Sequence, residues 1–229
     1  MFELPAILRA GLTGFISGLL LSIPVGPINL TIMNEGARRG FKGALLIGLG
    51  ATAMEVVYCA IAFTGFAAFL QNDWIKSGME VFSFAFILFL GIRFLMAKTV
   101  VAPLHISKTA DRLEERLEER VHPHSAFMTG MVRVAGNVGV LLFWIILAAN
   151  FMSREWVQPT WEGKLVCLAG VALGTGLWYM GLSWGVSLGH GKFSEKTLLR
   201  MEHFSGVGLL IIALIHGGNI AWQLAKHRM

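Results

Sequence analysis

Ser22-Ile23-Pro24-Val25-Gly26-Pro27-Ile28-Asn29 lies in the middle of a run, 10–34, that contains no Asp, Glu, Lys or Arg. A bilayer core takes about 20 mostly apolar residues per helix, so the run is long enough to span one. Proline has no amide hydrogen, so Pro24 and Pro27 each leave a carbonyl about one turn earlier without its helical partner. Facing lipid, each such group would cost several kcal/mol, and the interruption survives only where protein or water satisfies it. The stretch therefore predicts a broken membrane helix with its break turned inward. Asn29, just beyond, offers both a donor and an acceptor to the interrupted turn.

The rest of the chain fits that reading. Of 229 residues, 55% are apolar and 14% charged, with 27 glycines and a net charge of +5; mean hydropathy is +0.65 and the pI about 9.5. So few charges exclude nucleic-acid binding and disorder as the main business. Cys59 and Cys167, both in apolar runs, exclude a disulfide-stapled secreted fold. Further apolar runs cover 43–72 with only Glu55, 81–97 with only Arg93, 134–153 (beginning near Ser125), 165–191, and 204–225. Six spans are expected, with no evident signal peptide. Arg38, Arg39 and Lys42, the basic residues of 98–120, and Lys192, Lys196 and Arg200 fall on one face. Arg9, Lys76, Arg154, Lys164, Lys226 and Arg228 fall on the other. This bias predicts both termini outside and the loop between the third and fourth spans inside.

That loop contains DRLEERLEERV (111–121), with Leu113, Leu117 and Val121 on one stripe and Glu/Arg pairs at i,i+4 spacing. A solvated helix lying against the bundle is the first reading, and a partner-binding helix the second. His122 and His124 follow without nearby Cys or acidic ligands, and no metal site is assigned to them.

The two halves repeat. Gly14-Phe15-Ile16-Ser17-Gly18 matches Ala126-Phe127-Met128-Thr129-Gly130, and the same offset carries Pro24-Val25-Gly26-Pro27 onto Gly136-Asn137-Val138-Gly139. Gly43 matches Gly163, Gly50 matches Gly170, Tyr58 matches Trp178, and Phe82-Ser83 matches Phe204-Ser205. A three-span unit enters the membrane from opposite faces in its two copies, so the halves should be inverted, an architecture common in secondary transporters. The expected organisation is a first three-helix repeat over 1–98, a cytoplasmic linker over 99–123 and a second repeat over 124–229. The fold class is an all-α polytopic membrane protein with broken first and fourth helices.

The half-helices beginning after Pro27 and after Gly139 would aim their positive N-terminal ends at the midplane, a cradle suited to a carboxylate. The second break lacks proline and reads as the milder one. A simple proline kink is the structural alternative to the first. Glu55, in mid-span, should face the interior and either pair or take up a proton; it could also meet a substrate ammonium. Its structural alternatives are an ion pair with Arg133 or a hydrogen bond to Asn29 or Asn137, with Arg133 expected to snorkel to the cytoplasmic face. His216-Gly217-Gly218-Asn219 interrupts the last run, and His216, read first as hydrogen-bonded structure, is the other candidate proton carrier. Candidate solute-binding residues are Pro24, Gly26, Pro27, Asn29, Glu55, Gly136, Asn137 and Gly139. The stripe Gly170, Gly174, Gly181, Gly185 and Gly189 allows close helix approach, within the bundle or across a homodimer. No cofactor is called for.

These residues resemble the LysE/RhtB family of amino-acid exporters. Pro24-Val25-Gly26-Pro27-Ile28-Asn29-Leu30, the basic turn Arg38-Arg39-Gly40-Phe41-Lys42-Gly43, and Gly50 followed by Glu55 resemble its N-terminal signature. Phe127-Met128-Thr129-Gly130 followed by Asn137, and Ser205-Gly206-Val207-Gly208-Leu209-Leu210, resemble its later motifs. Val25 replaces the first proline of the Pro-Gly-Pro pattern, Met54-Glu55 the Gly-Asp pair and Asn137-Val138 the Asn-Pro pair. The resemblance implies a six-span bacterial inner-membrane protein that exports amino acids, using the proton gradient. The partners expected are an amino-acid substrate and membrane lipid, with no nucleic acid. Export of a metal ion or other inorganic solute is the runner-up, set back by the isolation of Glu55. An enzyme or scaffold ranks third, since no catalytic constellation is evident.

Overall fold

The computed structural model describes residues 5–24, 26–65, 73–97, 125–188 and 195–226. Among them every regular element is a helix: α1 (Ala6–Ser22), α2 (Pro27–Gly65), α3 (Asp73–Leu95), α4 (Ala126–Gly136), α5 (Val138–Ser153), α6 (Trp161–Ser187) and α7 (Glu195–Lys226). The amphipathic stretch 111–121, His122, His124 and Gly189 lie outside the described residues.

α2 is 39 residues long, about 58 Å if straight and far more than a bilayer needs. It is not straight. Gly40 has φ 73° and ψ −169°, a region open essentially to glycine, where an L side chain costs about 1–3 kcal/mol. Beyond it the chain folds back on itself: a Cβ built on Gly36 would lie 3.3 Å from Ala44 Cβ, and one built on Gly48 3.7 Å from Ile32 Cδ1. Pairs centred on residue 40 are the signature of a helical hairpin. Segment 27–39 thus continues the α1 run beyond its break, and 41–65 forms the next apolar run. The basic turn read from the sequence is the tip of this hairpin, where Arg39 Nε pairs with Glu35 Oε1 at 2.6 Å.

Polar starts fix other helices. Ser125 Oγ accepts from Met128 N at 3.2 Å and Thr160 Oγ1 from Gly163 N at 3.2 Å, each satisfying an N–H that the first helical turn leaves open. At the far end of α2, Lys164 Nζ donates to Phe63 O at 3.5 Å.

α1 packs mainly on α6, α2 on α6 and α4, and α3 on α7. Glycines set the closest crossings. A Cβ on Gly14 would strike Cys167 O and one on Gly170 would strike Gly11 O; likewise a Cβ on Gly50 would strike Phe127 O and one on Gly130 would strike Ile47 O. Each glycine of both pairs meets the carbonyl three residues before its partner, so the α1–α6 and α2–α4 crossings are the same contact made twice. Gly18 and Gly174 extend the first crossing by one turn. This geometry shifts one sequence match. With Gly50 matched to Gly170, Gly130 falls on Gly14, one turn from the expected Gly18. Of the glycine stripe on α6, Gly170 and Gly174 serve α1, whereas Gly181 has open space beside it.

The outside is apolar and the inside partly polar. Leu173, Trp184, Phe82, Phe204 and Leu214 are each more than 60% exposed, while Asn29, Thr52, Glu55, Asn150, Thr175 and Ser183 are buried. A water-soluble monomer rarely exposes so much apolar surface; a bundle in lipid has to. The helices are long and apolar enough for a polytopic membrane protein: α2 and α6 each contain an apolar stretch of spanning length, and α4 with α5 has that length as a bent pair, the form of a broken span or a re-entrant loop.

Candidate transport site

The first break lies between Ser22, where α1 ends, and Pro27, where α2 begins. Asn29 seals it. Its Nδ2 donates to Ser22 O at 2.8 Å and to Pro24 O at 2.7 Å, two carbonyls of the interrupted turn. Its Oδ1 accepts from Trp178 Nε1 at 3.2 Å. Asn29 is 1% exposed and its amide is engaged within the protein, so its part is to hold the break open and in shape.

The second break is sharper than its sequence suggests: α4 and α5 are bent by 71° although no proline is present. Asn137 alone separates them, at φ −88° and ψ 88°. Its backbone N–H donates to Val134 O at 3.0 Å, and its Oδ1 accepts from Val140 N at 3.3 Å, capping α5. The carbonyl of Ala135, left over by the bend, accepts from Tyr58 OH at 2.6 Å. Tyr58 and Trp178, paired in the sequence comparison of the two halves, each donate a hydrogen bond at a break, Tyr58 to the Ala135 carbonyl and Trp178 to the Asn29 side chain.

Glu55 is the buried carboxylate between the breaks, 6% exposed. Trp144 Nε1 donates to its Oε2 at 2.7 Å and Tyr179 OH to its Oε1 at 3.3 Å. A cavity of about 70 Å³ is lined by Glu55, Ser22, Pro24, Gly26, Pro27, Asn29, Asn137, Arg133 and Tyr179. An adjoining one of about 80 Å³ is lined by Glu55, Pro24, Asn137, Gly139, Val140, Phe143 and Trp144. The starts of α2 and α5 thus border the same small space as Glu55. Of the candidate residues, Pro24, Gly26, Pro27, Asn29, Glu55, Asn137 and Gly139 border these two cavities, and Gly136 is buried at the end of α4 outside both linings. Arg133 also borders the first cavity. The carboxylate has aromatic hydrogen-bond donors at both oxygens, in place of the Asn29 and Asn137 partners considered from sequence. His216 falls on α7 with its side chain outside the described residues.

Sequence reasoning missed Trp144, Trp178 and Tyr179. Their signal was available but weak: indole and phenol groups buried in a span need a polar partner, and Glu55 and Asn29 are among the few buried polar groups on offer.

An apolar shell around a partly polar interior, with two interrupted helices bordering a buried acid, is the build of an integral membrane protein. The family model for the LysE type translocator matches residues 19–216, and the chain belongs to that family. It is also similar to the "Putative amino acid efflux protein YcgF" of Bacillus subtilis (strain 168), at 25% identity over 206 residues, covering 90% of this chain and 94% of that protein. No solved structure matches it.

Proposed function

We propose that the protein exports amino acids or similarly small zwitterionic solutes across the bacterial cytoplasmic membrane, driven by the proton gradient. The observation that carries this reading is the shared lining of one cavity by the starts of α2 and α5 and by Glu55. Helix N-termini favour an anion, so a substrate carboxylate belongs at the two breaks. Glu55 then serves the ammonium, the proton, or each in turn as the carrier cycles. The printed name of the similar YcgF protein supports the solute class.

The architecture we infer is two inverted three-span halves, 1–98 and 124–229, joined by a cytoplasmic linker, with both termini outside. The twice-made glycine crossing and the matched Tyr58 and Trp178 contacts support an inverted pair. Exchange of conformation between such halves alternates access to a site at their interface.

Glu55→Gln keeps the shape and removes the charge. In proteoliposomes loaded with radiolabelled amino acids, efflux by this variant should fall by about a hundredfold and lose its response to a pH gradient, the size expected when a group with a charge-specific role is neutralised. Full, gradient-dependent efflux by the variant would remove Glu55 from the mechanism.

A further inference from the structure

The two small cavities share Glu55, Leu21, Pro24, Asn137 and Val140 and diverge beyond them. One adds the start of α2 with Asn29, Arg133 and Tyr179. The other adds Leu90, Phe94, Gly139, Phe143 and Trp144. Leu21 and Phe143 also border a third space of about 300 Å³ between α1, α3, α5 and α7, whose lining is aliphatic and aromatic except for Arg9, Thr13, Ser17, Asn150 and the Trp156 indole. Across the three linings, among the described residues, Glu55 is the one carboxylate.

Resting on the amino-acid export reading, we infer that the substrate is an amino acid with an uncharged, apolar side chain: its ionic head lies between the breaks and Glu55, and its side chain enters the cavity walled by Leu21, Leu90 and Phe143. A carboxylate has about four acceptor positions; Trp144 and Tyr179 occupy one on each oxygen, which leaves room for an ammonium. Once Glu55 is engaged, a lysine-like side chain brings a second cation among apolar walls with no second acid to receive it. A glutamate-like side chain brings a second anion there. Both suffer the full desolvation penalty of a charge, whereas an aliphatic or aromatic side chain gains by leaving water.

The test uses the full chain in proteoliposomes, loaded separately with radiolabelled leucine, phenylalanine, alanine, lysine and glutamate, alongside equilibrium binding of the same solutes to detergent-purified protein. Leucine and phenylalanine should bind and leave at least about tenfold better than lysine or glutamate. Leu90→Phe, which fills the apolar cavity, should cut phenylalanine efflux at least about tenfold more than it cuts alanine efflux. Lysine or glutamate carried as well as leucine, or phenylalanine carried unchanged by folded Leu90→Phe, overturns this inference and leaves amino-acid export standing. Failure of every amino acid to bind or leave overturns both.

Discussion

The two breaks that face the cavity are built from opposite materials. At the first, prolines remove donors and the problem is surplus carbonyls; Asn29 answers with both hydrogens of its amide, to Ser22 O and Pro24 O. At the second there is no proline, and a single non-helical residue turns the chain by 71°. There Asn137 answers with its oxygen, which caps the new helix start at Val140, and Tyr58 takes up the carbonyl of Ala135. One break is imposed by covalent structure and merely sealed by its neighbours. The other has no proline and is held by hydrogen bonds, the Asn137 cap and the Tyr58 contact. An interruption dictated by proline should persist when partners are removed, at a cost in stability, whereas one held by hydrogen bonds should relax.

Asn29→Ala strands two buried carbonyls and the Trp178 indole at once. At about 1–3 kcal/mol for each unsatisfied group, less what water recovers, unfolding in detergent should be easier by about 3 kcal/mol. Circular dichroism should still show unchanged helix content, because the prolines keep the break. Tyr58→Phe strands only Ala135 O, and a loss of about 1–2 kcal/mol is expected. Thermal unfolding of the two variants side by side ranks them, and equal losses would erase the distinction drawn between the breaks.

Asn137→Ala removes one capping bond, worth about 1 kcal/mol. Val140 N keeps its bond to Asn137 O at 3.0 Å, so the stability change is modest. The bend, in contrast, should open toward a continuous helix. Spin labels on the outer faces of α4 and α5 should move apart in this variant and stay put in Asn29→Ala; the reverse pattern would mean that the prolines are incidental. Gly40→Ala is a control away from both breaks. Nothing lies within 4 Å of a Cβ there, so its cost of about 1–3 kcal/mol is purely conformational, and efflux per folded molecule should match the parent.

Legibility follows the same division. The first break could be read directly, because the missing N–H of proline is a local fact. Glu55 could be read because a charge inside an apolar run needs a reason. The severity of the second break could not be read: the residues that stabilise it include Tyr58, 77 positions from Ala135 in sequence. Nor could the anchoring of Glu55, since Trp144 and Tyr179 lie 89 and 124 positions away. The glycine matches revealed a repeated contact but not its register, because glycines one turn apart (Gly14 and Gly18) present the same bare surface to a neighbouring helix. The helical hairpin at Gly40 was legible as a basic turn, and the non-helical backbone of Gly40 marks its tip.

A structure determined with an amino acid bound bears most directly on the confrontation of the two helix starts across Glu55. The carboxylate should lie within hydrogen-bond distance of backbone amides at the starts of α2 and α5, with the ammonium on Glu55. An amino acid seated elsewhere in the bundle, or helix starts that no longer border a common space, would contradict it.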